Sequence, residues 1–295
     1  MNGTSNSRSL RAAFSYCVQQ VRSYDYENYL CLLHLPQSLR KAAFALRAFN
    51  IETAKARDNV SDFRMALIRL VWWRDIIDNI YKNKVAEHPV AQSLASVIHE
   101  HKLNKHWFKR SIEARIADSE MESSPVSLAD LEQYAEDTAS VLLYLILQTG
   151  GMHSTSADHA ASHIGKASGL VLLLRATAYH ASCHRSYIPL EIAAKHGLSQ
   201  EQIYKGVRTE ALENAIFELA STANTHLEKA RELSDTVPKA ALPVLLPAVP
   251  AQILLDSLQK RHFNVFDPGL TRGIAGVSPL WFQLKLNWYA FRGKY

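Results

Sequence analysis

Histidine and cysteine side chains cluster in the middle of this chain, and their spacing decides whether they can hold a metal ion. His159 and His163 are four residues apart, which on a helix presents two imidazoles on one face, as zinc sites often require. His180, Cys183 and His184 form a second group. Roughly 24 Å of helix separates the two groups, so they cannot share one ion. The spacing therefore favours structural histidines, and we predict no metal site and no cofactor.

One carboxylate pair has the spacing of a magnesium site. Asp58 and Asp62 lie four residues apart and can share a helix face. Lys55 and Arg57 stand beside them, and a cation in that position repels a magnesium ion. The pattern is therefore typical of a salt-bridged helix surface rather than of a catalytic metal centre.

Composition limits the remaining function classes. The chain has 295 residues, of which 47% are apolar, a formal net charge of +5 and a pI of about 9.0. This mild basic excess suits the mitochondrial matrix or an anionic membrane surface. The sequence lacks the dense stripe of basic and aromatic residues that is typical of nucleic-acid binding, so we predict no nucleic-acid partner. The three cysteines are scattered, which argues against a disulfide framework. The motifs G-x-S-x-G, G-x-G-x-x-G and the P-loop are absent, so the usual hydrolase and nucleotide chemistries have no support.

Almost every segment shows the 3.6-residue period of a helix, and none keeps the two-residue period of a strand. Segments 128–149 and 156–182 are apolar on most faces, which places both inside a helical bundle. Segment 237–255 is the most apolar, but its four prolines exclude a straight membrane-spanning helix. Because no linker divides the chain, we predict an all-α protein with one domain over residues 15–295.

The amino terminus permits two interpretations. Residues 1–24 contain no acidic residue and carry three arginines, as mitochondrial targeting segments do. The same stretch has helical period, and a first folded helix over 9–22 leaves only a short extension. We predict an amino-terminal extension over residues 1–14 that can serve as a short targeting segment.

The segment from Gly165 to Glu191, GKASGLVLLLRATAYHASCHRSYIPLE, carries a family pattern. Its scaffold residues are Gly165, Ala167, Arg175, Arg185, Tyr187 and Pro189. The chain here resembles the squalene and phytoene synthases, in which this segment reads roughly G-x-A-x-Q-x-x-N-x-x-R-D-x-x-E-D and then R-x-Y-L-P. The resemblance runs from about Tyr16 to about Phe266 and implies a single-domain, isoprenoid-synthase-like helical bundle.

Most of the acidic residues of that family pattern are missing. The expected acidic positions hold instead Ala54, Lys55, Ala176, Tyr179 and His180. Only the last aspartate of the upstream pattern A-F-x-R-x-x-D-D-x-x-D is matched, by Asp58. Condensation of prenyl diphosphates needs these carboxylates to hold the magnesium ions that neutralise the leaving diphosphate. The resemblance therefore implies a pseudoenzyme, a family member that has lost prenyl transfer.

The remaining charged and aromatic positions of the family's diphosphate site form a group that we call the remnant-pocket candidates. They are Lys55, Arg57, Asp58, Arg175, Tyr179, Arg185 and Tyr187. Arginine suits phosphate recognition through its planar guanidinium, so by resemblance these residues can form a cationic pocket that binds an anion without metal. Ordinary structural salt bridges are the alternative interpretation.

A narrower resemblance concerns one branch of the family. The phrases ADHAASHIGKA (157–167), LRAT (174–177) and RHFNVFDP (261–268) are similar to members linked to the early assembly of mitochondrial respiratory complex I. This implies an assembly factor whose partners are complex I subunits or assembly intermediates, peripheral to the matrix side of the inner membrane, with a cytosolic pool left open. The alternatives are an active prenyl-diphosphate transferase and a metal-free protein that binds lipid or prenyl phosphate.

The carboxy-terminal sequence PLWFQLKLNWYAFRGKY has an apolar stripe of helical spacing. Trp281, Trp288 and Phe291 lie on this stripe, with Lys285 and Arg292 around it. A helix of this kind can rest in a membrane interface or dock on the bundle as its last core helix. We take the three aromatic residues as candidates for a membrane or partner surface.

Overall fold

The computed structural model describes residues 2–57, 63–121 and 123–295, and this part of the chain is almost entirely helical. The α-helices in it are α1 (Asn2–Tyr24), α2 (Tyr26–Leu32), α3 (Gln37–Ala54), α4 (Phe63–Ile80), α5 (Pro89–His101), α6 (Lys105–Glu120), α7 (Leu128–Ala135), α8 (Val141–Thr149), α9 (Thr155–Arg175), α10 (Thr177–Ser182), α11 (Leu190–Lys195), α12 (Gln200–Tyr204), α13 (Glu210–Glu232), α14 (Ala248–Gln259) and α15 (Pro279–Arg292). Shorter segments are the 3-10 turns Lys55–Arg57, Lys239–Leu245 and Pro268–Thr271 and the π-helical segment Glu136–Ser140. These ranges contain no β-strand, and the predicted all-α class is confirmed.

The helices group into two compact units. Unit 1 comprises Met1–Glu120 and Val141–Ser154, and unit 2 comprises Met121–Ser140 and Thr155–Tyr295. Helix α1 runs through residue 14 without a break. The assignment of residues 1–14 to an extension, and of residues 15–295 to one domain, stays a prediction.

Unit 1 is built around α3, which packs against α1, α5 and α8. An aromatic centre fixes α3 to its other neighbours: the ring of Phe49 meets the rings of Trp73 on α4 and Phe108 on α6 at centroid distances of 5.6 and 5.5 Å. All three side chains are buried. Burial of three aromatic rings with edge-on contacts makes this the main apolar centre described in the unit.

Unit 2 is built around the pair α9 and α13, with α7, the π-helical segment and α14 also packed on α9. Two glycines let α9 lie close to the π-helical segment and to α7. A Cβ atom on Gly165 would lie 2.5 Å from the backbone nitrogen of Ser140, and one on Gly169 would lie 2.7 Å from the Ala135 Cβ. The Ser140 hydroxyl also donates a hydrogen bond to the Ser162 carbonyl oxygen at 2.9 Å. Gly165, the glycine of the family pattern, and Gly169, which stands at the family's glutamine position, therefore serve helix packing here.

Local signals explain where most helices begin and end. Ser127 with Asp130 and Ser199 with Gln202 form reciprocal capping boxes at the starts of α7 and α12, as S/T-x-x-D/Q spacing predicts. Gly197 has a φ of +65°, in the left-handed region that glycine adopts without strain, and follows the end of α11.

Several apolar segments are interrupted, among them 128–149, which the π-helical segment Glu136–Ser140 divides into α7 and α8. The helix expected over 156–182 breaks at Ala176, which separates α9 from α10. The apolar segment with four prolines forms a 3-10 turn and then α14, bent by 42°, because its prolines cannot donate helical hydrogen bonds. Within the described ranges no single helix is long and apolar enough to cross a membrane, and this bent pair passes such a test only when its two parts are combined.

Candidate functional site

The remnant-pocket candidates of unit 1 lie where α3 ends. Lys55 begins the 3-10 turn after α3, and its Nζ lies 3.3 Å from the centroid of the Tyr24 ring. Arg57 donates a hydrogen bond from Nη1 to the Asp118 carbonyl oxygen at 3.1 Å, near the C-terminal end of α6. That end carries the negative pole of the helix dipole, which stabilises the guanidinium. Both cations therefore have structural contacts inside unit 1.

The candidates of unit 2 surround Tyr187. Its ring lies 4.7 Å from the ring of His180 and stacks on Tyr134 at 6.1 Å between centroids. The guanidinium of Arg185 lies over the same ring at 5.1 Å, and Tyr179 packs edge-on against His180 at 5.5 Å. We call these five residues the Tyr187 cluster. The sequence alone did not bring Tyr134 into this group, because it lies more than 40 residues earlier in the chain.

The break between α9 and α10 shapes this cluster. Arg175 closes α9, Ala176 leaves the helical conformation with φ −82° and ψ 0°, and α10 follows for six residues. His184 then adopts a positive φ of +51°, and the Arg185 backbone N–H donates to the His180 carbonyl oxygen at 2.9 Å. The chain thus turns back and carries Arg185 to the aromatic rings. The side chain of Tyr179 is exposed.

The residues described here do not fit a magnesium site. The sequence from Gly165 to Leu190 contains no aspartate or glutamate, and the guanidinium of Arg185 repels divalent cations. Among the described residues there is no group of three or more His, Cys, Asp and Glu that could hold a metal ion. Asp58 and Asp62 lie outside the described residues. Arg185 on an aromatic ring instead suits an anionic or aromatic group.

Three hydrogen-bonded side chains in unit 2, of which His226 is buried and His163 and Glu132 are half-buried, could not be predicted from the sequence. His226 on α13 lies 2.5 Å from Glu132 on α7, through Nε2 and Oε1, and 2.8 Å from His163 on α9, through the two Nδ1 atoms. His159, the expected partner of His163, is exposed instead. Residues 94 and 63 positions apart meet here, and helical periodicity cannot reveal such pairs.

The contacts among Glu132, His226 and His163 limit where their protons can lie. When the His226 Nε2–H donates to Glu132, its Nδ1 accepts from the Nδ1–H of His163. Because a single proton lies between the two Nδ1 atoms, the two imidazoles cannot both be cationic in this geometry. Burial, and then the neighbouring His226, lowers the pKa of His163 to about 4 from 6.5. Lys166, Lys229 and His159 act in the same direction.

This pKa predicts an acid-sensitive stability. Between pH 6.5 and about 4 the unfolded chain takes up a proton on His163 that the folded chain does not. The free energy of unfolding should therefore fall as pH decreases through this window, by about 1–3 kcal/mol from this residue, given its partial exposure. Urea unfolding at a series of pH values measures the change. His163→Gln should flatten the pH dependence of the free energy of unfolding. His159→Gln replaces an exposed imidazole one turn away and should leave that dependence as it is in the wild type. Equal slopes for wild type and His163→Gln would contradict the assignment.

The tail candidates lie on α15, in the carboxy-terminal sequence whose apolar stripe has helical spacing. Ser278 accepts a hydrogen bond from the Trp281 backbone N–H and caps the helix, and Gly293 ends it with a φ of +60°. The side chains of Trp281, Trp288 and Phe291 are all exposed. The helix therefore docks through other residues and leaves these aromatic rings at the surface.

Comparison with known proteins agrees with this geometry. The sequence model of the squalene/phytoene synthase family matches residues 21–274. The solved squalene synthase HpnC from Alicyclobacillus acidocaldarius superposes with a TM-score of 0.74 at 20% identity, over 86% of this chain and 96% of that one. At this identity the likeness shows the fold alone, and it confirms the predicted isoprenoid-synthase-like bundle.

Two sequence relatives are more similar. "NADH dehydrogenase (ubiquinone) complex I, assembly factor 6" of Bos taurus is 40% identical over 257 residues, which is 87% of this chain and 77% of the relative. The homologue of Drosophila melanogaster with the same designation is also 40% identical, over 84% of this chain and 76% of its own length. The chain therefore belongs to the squalene/phytoene synthase family, in its group of complex I assembly factor 6 proteins.

Proposed function

We propose that this chain is an assembly factor for mitochondrial respiratory complex I. The observation that carries the proposal is the 40% identity to complex I assembly factor 6 over 87% of the chain. Its partners are then complex I subunits or assembly intermediates, and its place is peripheral to the matrix side of the inner membrane at an early assembly stage. The amino-terminal 1–14 segment is proposed to aid import.

We also propose that the chain is a pseudoenzyme, although its family is named for synthases. Support comes from the positions that should supply carboxylates, because Lys55 packs on an aromatic ring and His180 packs within the Tyr187 cluster. Neither group can hold magnesium as a carboxylate does. If the transferase alternative were correct, purified chain would convert farnesyl diphosphate in the presence of Mg²⁺. We expect no turnover above a protein-free control.

The Tyr187 cluster and the other remnant-pocket candidates are proposed as the working surface for assembly. The cluster supports this because it presents a guanidinium and aromatic rings, which are enriched where proteins bind partners. Only the family resemblance includes the other candidates in this surface, which are Lys55, Arg57, Asp58 and Arg175. The metal-free binding of a lipid or prenyl phosphate remains the second use of the same residues, favoured by the guanidinium of Arg185 on Tyr187.

Co-migration with assembly intermediates tests the proposed role and surface together. Mitochondrial translation is blocked reversibly, and the tagged chain is followed on two-dimensional blue-native gels while complex I rebuilds. We expect the chain to migrate transiently with partial complex I, and not with complexes III or IV. Arg175→Ala/Arg185→Ala should reduce this co-migration at least fivefold.

The matched control is Lys195→Ala/Arg208→Ala, which removes the same charge from two exposed ion pairs of unit 2. It should co-migrate as the wild type does. Loss of co-migration by both double variants would remove the argument for the remnant-pocket candidates while leaving the assembly role. No co-migration by the wild-type chain would count against the assembly role itself.

A further inference from the structure

Helix α15 is held in a fixed orientation on unit 2. Phe282 and Leu286, four residues apart, are buried, and α15 packs against α14. Beyond the helix, the Tyr295 hydroxyl donates a hydrogen bond to the Ala230 carbonyl oxygen of α13 at 2.9 Å. Tyr295 is itself buried. The buried face is therefore narrow, but both the helix and the residues after it are anchored.

The opposite side of α15 presents a row of large apolar side chains to solvent, which we call the α15 stripe. Its members are Leu280, Trp281, Leu284, Trp288 and Phe291. Their exposure runs from 43% for Trp281 to 87% for Phe291. At about 100° per residue, all five fall within roughly 100° of the helix circumference. A contiguous exposed apolar face of this kind marks an interaction site rather than scattered surface residues.

The charge around the stripe identifies its partner. The 28 residues from 268 to 295 contain no aspartate or glutamate. Their basic residues are Arg272, Lys285, Arg292 and Lys294. Two of these cations lie against stripe tryptophans, with Lys285 Nζ 4.9 Å from the Trp281 ring and the Arg292 guanidinium 5.2 Å from the Trp288 ring. Lys285 also pairs with Asp256 of α14 at 3.2 Å, so Arg292 and Lys294 carry most of the available charge.

We propose that the α15 stripe docks the protein on an anionic lipid surface, with the helix lying in the plane of the interface. Leucine and phenylalanine side chains enter the acyl boundary, tryptophans sit at the level of the headgroups, and the adjoining cations face lipid phosphates. A stripe that stands out from a single helix, in a segment that carries cations and no acids of its own, complements a flat, negatively charged membrane. The inference rests on the proposed function only for which membrane is involved.

Flotation of the purified full chain with vesicles tests this surface without complex I. The vesicles are phosphatidylcholine alone or phosphatidylcholine with about one third phosphatidylglycerol. Wild type should bind the anionic vesicles at least tenfold more tightly than the neutral ones, with binding that weakens as salt increases. Leu284→Gln/Trp288→Gln/Phe291→Gln should lose at least tenfold in affinity for anionic vesicles. Arg292→Gln/Lys294→Gln should lose several-fold for anionic vesicles only.

Phe217→Gln supplies a matched control, because Phe217 is an aromatic residue of α13 that is 52% exposed outside the stripe. It should bind vesicles as the wild type does, and unfolding curves should show that every variant is folded. The membrane proposal is wrong if the wild type binds neither the neutral nor the anionic vesicles. It is also wrong if the triple variant binds the anionic vesicles as tightly as the wild type does. A triple variant that fails in complex I assembly while wild type ignores vesicles would assign the stripe to a protein partner instead. If the chain binds anionic vesicles but complex I is normal in depleted cells, the proposed assembly function is wrong and the membrane proposal for the stripe stands.

Discussion

Replacing Gly165 with alanine should lower the free energy of unfolding by about 2–4 kcal/mol. A Cβ atom at this position would meet the Ser140 backbone nitrogen at 2.5 Å and the Ser140 Cα and hydroxyl still closer. Backbone atoms cannot swing aside as a side chain can, so α9 must move away from the π-helical segment. The sign is diagnostic, because alanine in place of glycine inside a helix ordinarily stabilises it by up to about 1 kcal/mol. Urea unfolding followed by circular dichroism measures the difference.

A pair of further variants separates backbone from side-chain crowding. Gly169→Ala creates a contact of 2.7 Å with the Ala135 Cβ and one of 3.1 Å with the Ala135 Cα. Ala135→Gly should therefore recover much of the stability that Gly169→Ala loses. Ser140→Gly should not restore the stability that Gly165→Ala loses, because the backbone atoms of residue 140 stay in place. If Gly165→Ala unfolded at the same urea concentration as wild type, the described approach of α9 to Ser140 would be incorrect.

Replacing Arg47 with methionine should destabilise the protein by about 3–5 kcal/mol. Arg47 is only 8% exposed, and its Nη1 lies 3.1 Å from the Oδ2 of Asp25. The other carboxylate oxygen of Asp25 accepts a hydrogen bond from Asn28 at 2.7 Å. Methionine fills a similar volume but leaves the Asp25 carboxylate without its counter-charge in a partly buried place. Most of the cost therefore comes from the unpaired charge rather than from lost packing.

The double variant Arg47→Met/Asp25→Asn checks this explanation. Removing the charge of Asp25 as well should restore at least half of the lost stability, as measured by the same urea unfolding. Arg208→Met is the control, because Arg208 pairs with Glu213 at an exposed site, and its loss should cost less than about 0.5 kcal/mol. If Arg47→Met and Arg208→Met lowered the free energy of unfolding equally, the ion pair of Arg47 would contribute no more to stability than an exposed one.

The sequence predicted those parts of the fold that depend on near neighbours. Helix α15 forms where the carboxy-terminal sequence has an apolar stripe of helical spacing, and Ser278 and Gly293 supply its cap and its stop. The break at Ala176 has no such marker, since alanine favours helix and no glycine or proline stands there. The π-helical segment over 136–140 could not be predicted either, because residues 141–147 are nearly all apolar and so carry no periodic pattern in which a shift of register would show.

The site was harder to predict because its contacts are distant in sequence. The resemblance placed Arg185 and Tyr187 among the remnant-pocket candidates, and the Arg185 guanidinium lies over the Tyr187 ring. It did not identify Tyr134 as a third member, nor His226 and Glu132 as the partners of His163. Each of these contacts joins helices that meet only after folding. The spacing of His159 and His163 suggested a shared face, yet packing half-buries the imidazole of His163 and leaves that of His159 exposed.

The most direct test of the central claim is the amount of assembled complex I in cells depleted of this chain. Blue-native gels with an in-gel NADH dehydrogenase stain measure it, with complexes II, III and IV as references in the same samples. We predict a selective loss of complex I that expression of the wild-type chain restores. Normal complex I after verified depletion would contradict the assembly role, whatever the vesicle and stability experiments show.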